Sequence, residues 1–476
     1  MTLHSTYTQL PAGLFDECAA ERFAAPALIK FNAALATELG FELEGKSDAE
    51  LAQIFAGQVL LPGSRPLALA YAAHQFGHFV PQLGDGRALL LGEVKTPAGK
   101  HYDIQLKGSG RTKYSRSGDG RAALGPVLRE YLVSEAMHRL GVPTTRALAA
   151  VSTGELVYRE TPLPGAIVTR VASSHLRIGT FQYLACRQDT QGLKALLDYA
   201  VERHYPELKH SEARALDFVG AVARRQAKLV AQWMGLGFIH GVMNTDNMTV
   251  SGETIDYGPC AFMDQFNFHQ VYSFIDKNGR YAYGNQPKIL VWNLTRLGEC
   301  LVPLLEVPEE EAIQQLTAEL QKVPALFEAE LHGVMAKKLG LQGPDGTGEI
   351  LQAFFDYLTH ERLDFTQSFR QLAALATDQP HSFPRTEEFQ RFEKLWRPKL
   401  RGSRTLAQEL EAVNPIYIPR NHQIEAAIQL AERGDFTKFH ELHQVLSDPF
   451  TARPEYAGHA LPPEEHQKVR NTFCGT

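Results

Sequence analysis

The segment from His240 to Asp264 constrains the fold more than any other, because it concentrates oxygen-bearing side chains in two short loops. Asp246 and Asn247 are adjacent, and a short apolar piece separates them from an Asp-Tyr-Gly sequence that begins at Asp256. The apolar piece predicts a strand or hairpin between two loops, and such loops can direct three oxygen-bearing side chains at one point. These ligands suit Mg²⁺ or Mn²⁺, ions that commonly accompany phosphates. We therefore expect the rest of the chain to bring a nucleotide to this pair of loops.

Each of these side chains also has a more ordinary interpretation. An Asp-Asn pair by itself is most often part of a turn. An Asp-Tyr-Gly sequence nine residues after Asn247, downstream of a long helical pattern, is much less common by chance. We therefore favour Asn247 and Asp256 as metal ligands, and Asp246 as the group that takes a proton from an incoming hydroxyl. We expect His240 to be structural rather than a metal ligand.

An antiparallel hairpin that ends in a lysine is predicted upstream. A glycine turn at Leu83–Arg87 leads into an apolar strand at Ala88–Val94. Lys100–Lys107 then alternates between apolar and polar side chains, which places Lys107 on the polar face of the second strand. A strand lysine in this position is usually a solvated charge. The glycine segments on both sides and a glutamate on the next helix favour instead a lysine that contacts phosphate.

Two glycine segments are candidates for anion binding. The turn at Gly84–Gly86 by itself fits any hairpin. The segment Gly118–Gly120 is more specific because arginines lie near it. Backbone N–H groups near glycine can bind an anion, and the arginine side chain matches the geometry of phosphate. The Gly-x-x-x-x-Gly-Lys-Ser/Thr pattern of a P-loop is absent from the sequence.

Further charged candidates lie on and after the next helix. A helix that begins near Pro126 and ends near Gly141 contains Glu130. Arg170 and Arg177 are seven residues apart, which fits one helical face or two loop charges. A surface position for both arginines is an equally good interpretation.

Bulk properties exclude several classes of protein. A chain of 476 residues predicts two or three structural units. A net charge of −6 gives no global basic footprint for nucleic acid. No apolar run approaches the roughly 20 residues that span a bilayer. The first residues do not resemble an export signal, so we expect a cytoplasmic protein without membrane or nucleic-acid partners.

The order of these features resembles a protein-kinase fold. A glycine loop, a strand lysine and a helix glutamate precede a long helical pattern over about 211–234, a catalytic loop and an Asp-x-Gly sequence. The catalytic loop departs from ordinary kinases, because the candidate metal ligand Asn247 directly follows the candidate base Asp246.

The chain also contains six longer motifs, at Gln75–His78, Gln82–Arg87, Tyr114–Ala122, Pro143–Ala147, Ser174–Arg177 and His240–Met248. These motifs are similar to those of the selenoprotein O family, and the similarity covers nearly the whole chain. The resemblance implies a kinase-like fold that binds ATP in a flipped orientation. It also implies transfer of AMP, rather than phosphate, to Ser, Thr or Tyr hydroxyls of proteins, with UMP transfer and Mn²⁺ attributed to bacterial members.

Residue roles follow from the same resemblance. Glu130 would pair with Lys107. Asp246 would be the catalytic base, and Asn247 and Asp256 would hold Mg²⁺ or Mn²⁺. Contacts to the nucleotide, ATP or UTP, would come from Gly84, Gly86, Arg87, Lys107, Asp119, Gly120, Arg170, Arg177 and Asp256.

A redox element is implied as well. Family members carry a cysteine or selenocysteine near the C-terminus that can pair with a cysteine after the Asp-x-Gly sequence. Cys474 matches the first partner, but Tyr272 occupies the position aligned with the second. Cys260 is the one cysteine of that segment, and we predict no stable bridge between Cys260 and Cys474.

The predicted organisation is α+β and bilobal, with four regions. Residues 1–75 form an N-terminal packing extension, 76–165 a β-rich N-lobe, 166–300 a C-lobe with the catalytic and metal-binding loops, and 301–476 a helical region with a redox-capable tail. Two other functions stay open: an ordinary γ-phosphate kinase, and an ATP-binding pseudokinase that regulates partners without transfer.

Overall fold

The computed structural model describes residues 2–473 and has an α+β architecture. Strands occupy the first part of the chain and helices most of the rest. The strands are β1 Phe15–Glu17, β2 Ala27–Phe31, β3 Leu67–Gln75, β4 His78–Gly84, β5 Ala88–Lys95, β6 His101–Lys107, β7 Ala122–Ala123, β8 Arg146–Tyr158, β9 Pro162–Ala172, β10 Phe238–Ile239 and β11 Ala261–Phe262.

Helices supply the second layer and nearly all of the structure after residue 263. They are α1 Ala33–Leu39, α2 Asp48–Phe55, α3 Leu124–Arg139, α4 Ile178–Ala185, α5 Thr190–His204, α6 Arg214–Gly235, α7 Gln286–Leu301, α8 Glu309–Leu320, α9 Val323–Lys338, α10 Thr347–Glu361, α11 Phe365–Ala376, α12 Glu387–Trp396, α13 Leu406–Val413, α14 Asn421–Ala431, α15 Thr437–Leu446 and α16 Ala457–Ala460.

Strands β1 to β9 form one antiparallel sheet in the order β1-β3-β5-β6-β9-β8-β2, with β4 paired to β3 and β7 to β9. The hairpin predicted from the alternating pattern is β5–β6, and Lys107 lies opposite Ala88 in it. On its other side β6 pairs with β9, which sets Gln105 opposite Arg170. Lys107, Gln105 and Arg170 are therefore near one another at the centre of the sheet.

Residues before 76 belong to this sheet rather than forming only a packing extension. They contribute β1, β2 and β3, and β3 pairs with both β4 and β5. Most of β3 is buried, and it is rich in alanine, which has weak strand propensity. This composition explains why the strand is hard to detect in the sequence. The helices α1 and α2 pack with a second apolar cluster on the outer face of the sheet.

The apolar piece between Asn247 and Asp256 is not a strand or hairpin, contrary to the expectation. Thr249 makes an isolated bridge to Arg177, and Thr254 makes one to Thr144. The two-residue strands β10 and β11 pair with each other and enclose both loops instead of lying between them. The piece turns at Gly252, whose φ of 83° suits glycine, and its two ends attach to different parts of the chain.

The predicted helices of the second half are present with ends shifted by a few residues. The long helix is α6, and the patterns at 309–322, 325–339 and 421–433 correspond to α8, α9 and α14. Their apolar residues join one continuous core that also includes the inner face of the sheet. Within residues 2–473, no helix is both long and apolar enough to cross a bilayer. Cys474 lies outside the described residues, so the predicted absence of a bridge to Cys260 stays a prediction.

Candidate active site

A cleft of about 950 Å³ lies where the sheet meets the loops after α6. Every residue that the sequence assigned to nucleotide, metal or proton transfer lines it, and Glu130 lies behind it. The predicted residues in its lining are Gly84, Gly86, Arg87, Lys107, Asp119, Gly120, Arg170, Arg177, Asp246, Asn247 and Asp256.

Four charged side chains form a closed cluster at the back of the cleft. Glu130 of α3 accepts from Lys107 Nζ at 2.8 Å and from Nε of Arg170. Asp256 accepts through one oxygen, Oδ1, from Lys107 Nζ and from Arg170 Nη2, the latter at 2.8 Å. Two cations and two carboxylates thus neutralise one another away from bulk water, where such bonds are strong.

The two carboxyl groups of this cluster stay ionised. Burial would raise the pKa of Asp256, but the charges of Lys107, Arg170 and Arg87 outweigh it and hold that pKa well below its usual range. Burial also opposes ionisation of Glu130, and Arg170 and Lys107 lower its pKa in spite of it. Asp256 therefore presents a carboxylate to the cleft at any pH near neutrality.

Arg177 is buried as well, so the surface interpretation of the two arginines is wrong. Its guanidinium stands 3.5 Å from Asp85 Oδ1 and 4.4 Å from the centre of the Tyr71 ring. Asp85 is held in turn by Gln105 Nε2 at 3.0 Å. Tyr71, Asp85 and Gln105 were not predicted as site residues. Gln105 lies on the same polar face of β6 as Lys107, so the alternation that indicated Lys107 could also have indicated Gln105.

The glycines of the cleft are required by close approach of the backbone. A Cβ atom at Gly84 would lie 2.4 Å from the Tyr114 ring, and its φ is 151°. A Cβ atom at Gly120 would lie 2.1 Å from the carbonyl oxygen of Gly110, and its φ is 70°. The two glycine segments therefore pack against neighbouring loops at distances that no other residue tolerates.

The second glycine loop is held by an ion pair that the sequence did not reveal. Arg159 donates to both carboxylate oxygens of Asp119, at 2.8 and 3.1 Å. Asp119 Oδ1 also accepts from the backbone N–H of Arg121 at 3.0 Å. The carboxylate of Asp119 thus shapes the loop, and the loop backbone and Arg159 line the cleft beside it.

Asp246 is the buried carboxylate of the catalytic loop. Its Oδ2 atom accepts from Gln75 Nε2 at 3.4 Å, and Oδ1 has no hydrogen-bond partner among residues 2–473. Burial raises its pKa to about 6, and the positive charge of Arg177 moderates that rise. A carboxylate with one unused oxygen and a pKa near neutrality suits a general base. Gln75 was missed as a site residue, although it begins the Gln-Phe-Gly-His motif.

The catalytic loop is held in place by His240 and by the end of β3. His240 is fully buried and has a hydrogen bond between Nε2 and the carbonyl of Ile255 at 2.9 Å, as expected for a structural histidine. The backbone N–H of His74 donates to Thr245 Oγ1 at 2.7 Å, and that of Phe76 donates to Asn244 Oδ1 at 3.0 Å. The loop therefore has a defined position relative to the sheet.

Asn247 and Asp256 fit a hard divalent cation. Asn247 Nδ2 donates to the carbonyl of Val242 at 3.0 Å, which leaves its amide oxygen as the ligand atom. Asp256 uses one carboxylate oxygen for its cations and leaves the other for a metal. Such oxygen donors match Mg²⁺ and Mn²⁺.

The fold and the cleft together define an α+β protein in which basic side chains, carboxylates and glycine loops meet in one cleft. Comparison with known sequences gives the particular family. A family model described as "Protein adenylyltransferase SelO" matches residues 1–447, and the chain belongs to this family.

Curated relatives match over nearly their whole length. A protein of Bradyrhizobium diazoefficiens named "Protein nucleotidyltransferase YdiU" is 50% identical over 491 residues, with 100% of both chains covered. A protein of Rhizobium johnstonii with the same name is 51% identical over 485 residues, with 99% of this chain and 97% of its own covered.

Proposed function

We propose that this protein is a nucleotidyltransferase that moves AMP from ATP, or UMP from UTP, to Ser, Thr or Tyr hydroxyls of proteins. The observation that carries the proposal is the position of Asp246, a buried carboxylate with one oxygen that has no partner within residues 2–473, in one cleft with the cation cluster. Family membership supports the same reaction. The α+β architecture, with a sheet-rich part and a helical part on either side of the cleft, fits a kinase-like bilobal fold.

The reaction requires one bond to form and one to break at the α-phosphorus. The acceptor hydroxyl oxygen bonds to that phosphorus, the bond to the bridging oxygen of pyrophosphate breaks, and pyrophosphate leaves with the electron pair. The proton of the hydroxyl goes to the carboxylate of Asp246. With a pKa of about 6, Asp246 is ionised at neutral pH and can accept this proton.

Negative charge on the leaving pyrophosphate is stabilised by fixed cations. Arg87, Lys107, Arg170 and Arg177 all line the cleft. Lys107, Arg170 and Arg177 already have anionic partners, so they are oriented before the nucleotide binds. Preorganised charges of this kind stabilise a transition state without reorganisation during the reaction.

The divalent cation that this chemistry needs would be held by Asn247 and Asp256. When bound, it would neutralise phosphate oxygens and help to orient the triphosphate. Mg²⁺ and Mn²⁺ both suit this oxygen set. The protein's own part is to hold Asp256 ionised through Lys107 and Arg170, which keeps a ligand oxygen available.

The proposal makes the chain a partner of nucleoside triphosphates and of proteins, with no nucleic-acid or membrane partner. Incubation with ATP, Mg²⁺ or Mn²⁺ and a protein acceptor, followed by intact-mass measurement, tests it. An added AMP supports nucleotidyl transfer. An added phosphate would identify an ordinary kinase instead. Binding of ATP without any change in acceptor mass would identify a pseudokinase.

A further inference from the structure

A cation without a carboxylate partner lies on the segment that follows the metal-binding loop. Arg280 makes no ion pair in the part of the chain that the structure describes. Its Nε and Nη2 atoms are shielded from solvent and lack a hydrogen-bond acceptor there. Buried guanidinium nitrogens are almost always bonded, so these two atoms call for an acceptor.

The nearby acid Asp276 is committed elsewhere. Its Oδ1 accepts from the backbone N–H of Arg280 at 2.9 Å, and its Oδ2 accepts from that of Tyr281 at 2.8 Å. Asp276 therefore fixes the backbone at Arg280 and leaves the guanidinium for another anion.

The Arg280 guanidinium lies between the Trp292 ring and Gly77, and we call these residues, with Arg296 and His74, the Arg280 pocket. The guanidinium carbon lies 4.6 Å from the centre of the Trp292 ring, and that of Arg296 lies 5.2 Å from the same ring. Trp292 contacts His74 edge to face, with 5.1 Å between ring centres. On the other side, a Cβ atom at Gly77 would meet the Arg280 guanidinium at 3.6 Å. The third guanidinium nitrogen, Nη1, is not among the shielded atoms and has no hydrogen bond within residues 2–473, so an anionic group can bind there.

The electrostatic potential in this pocket is positive. Partial burial lowers the pKa of His74, and the positive charges of Arg296 and Arg280 lower that pKa further. Arg296 is only partly compensated, by the exposed Glu299 at 2.6 Å. The pocket therefore favours a carboxylate over a neutral or cationic side chain.

The pocket adjoins the catalytic loop. The residues that precede Gly77 contact that loop in turn: His74 bonds Thr245, and Gln75 bonds Asp246. On the Arg280 side, the Tyr281 hydroxyl donates to Asn244 Oδ1 at 2.5 Å. Ile275, five residues before Arg280 in the sequence, lines the nucleotide cleft and is 59% exposed. A polypeptide that places a hydroxyl at Asp246 would pass this pocket.

We propose that Arg280, with Trp292 and Arg296, binds an Asp or Glu side chain of the acceptor protein close in sequence to the modified hydroxyl. This inference rests on the proposed function, because it assigns the substrate preference of the same site. Arg280 touches the acceptor and not the nucleotide. The enzyme therefore selects hydroxyls in acidic sequence surroundings.

A peptide library made by digestion of bacterial proteins tests this preference. The full-length enzyme, ATP and Mg²⁺ are added, and modified peptides are sequenced by mass spectrometry. We expect Asp and Glu to be enriched within about three residues of the modified hydroxyl, and Arg280→Gln to weaken that enrichment about tenfold. Arg280→Glu should reverse it and favour Lys and Arg. A merely structural role would not produce this reversal.

The control is Lys277→Gln, which removes the same charge from an exposed lysine of the same segment. This variant should keep the acidic preference of the wild type. An identical preference in the wild type and in Arg280→Gln would overturn the inference, even though transfer itself takes place.

Binding tests the pocket independently of catalysis. The Asp246→Asn protein, with ATP bound, is titrated with two labelled peptides that contain one serine next to either Glu or Lys. Tighter binding of the Glu peptide, lost in Arg280→Gln, supports the inference. Equal affinity for both peptides contradicts it. A failure of the proposed function appears separately, as absence of any modified peptide with the wild-type enzyme.

Discussion

Arg170 Nη2 donates to Asp256 Oδ1 at 2.8 Å and so connects strand β9 of the sheet to the loop that contains Asp256. The same arginine bonds Glu130 of α3. Asp256 itself has a φ of 66°, an uncommon backbone conformation for a residue other than glycine. The carboxylate is thus held by its cations in an orientation that the backbone alone does not favour.

Replacement of Asp246 by Asn should reduce nucleotide transfer by about 10²–10⁴-fold, because the amide cannot accept the proton of the acceptor hydroxyl. Binding of ATP should change little, since the shape of the side chain is kept. Steady-state kinetics and ATP titration measure the two effects. Asp345→Asn, at an exposed position, is the matched control. Transfer by Asp246→Asn at the wild-type rate would remove Asp246 from the mechanism.

The pH profile should report the same group. The pKa of Asp246 is about 6, and only the ionised form accepts a proton. We therefore expect kcat/KM to fall about tenfold per pH unit below that value and to be level above it. The residual activity of Asp246→Asn should lack this step. A profile that is flat between pH 5 and 8 would contradict the assignment.

Ionisation of Asp246, which should support activity, should lower the stability of the folded protein. Folding raises the pKa of Asp246 from 3.8 to about 6. The folded state therefore binds the proton more tightly than the unfolded state, and stability is lost progressively as the pH rises from 3.8 to about 6 and then stays level. Asp246→Asn should raise the free energy of unfolding at pH 8 by up to about 3 kcal/mol, and much less at pH 4. Urea unfolding at the two pH values measures this difference, and a variant less stable than wild type at pH 8 would contradict it.

Glu130 should contribute to stability as well as to the site. The change Glu130→Gln leaves Lys107 and Arg170 with one shared carboxylate, Asp256, in a buried place. We expect a loss of about 3 kcal/mol in the free energy of unfolding. Glu330→Gln, on the exposed side of α9, should cost less than about 0.5 kcal/mol. Equal effects of the two changes would mean that the cluster is not a stabilising unit.

A methyl group at Gly120 should disturb the second glycine loop. Gly120→Ala adds a Cβ atom that would meet the carbonyl oxygen of Gly110 at 2.1 Å, at a φ of 70°. We expect a higher KM for ATP because the loop must move. Gly99→Ala is the control, since its φ is 80° but nothing lies within 4 Å of the added atom. A similar KM in both variants would show that backbone strain, and not the close approach, determines the effect.

Part of this site is visible in the sequence because its residues follow local patterns. Lys107 ends an alternating strand, Glu130 lies in a helix between Pro126 and Gly141, and Asp246 and Asp256 occupy loops around a short apolar piece. The structure brings all of them to one cleft or directly behind it. Local patterns of this kind predict which element carries a residue and which face it occupies.

Other features depend on contacts between distant residues and have no local pattern. The pair of Arg159 with Asp119 spans 40 positions, and the contact of Gln75 with Asp246 spans 171. Burial of Arg170 and Arg177 follows from the pairing of β9 with β6 and from the packing of Arg177 on Tyr71. This burial depends on how the strands assemble into the sheet. From the sequence alone, an arginine is therefore expected at the surface.

Transfer of label from ATP tests the proposed reaction most directly. The wild-type protein is incubated with a protein acceptor, Mg²⁺ or Mn²⁺, and ATP labelled at either the α- or the γ-phosphate. We predict that label from the α position becomes attached to the acceptor and that label from the γ position is released in pyrophosphate. Attachment of the γ label, with none from the α position, would contradict nucleotidyl transfer and identify a kinase.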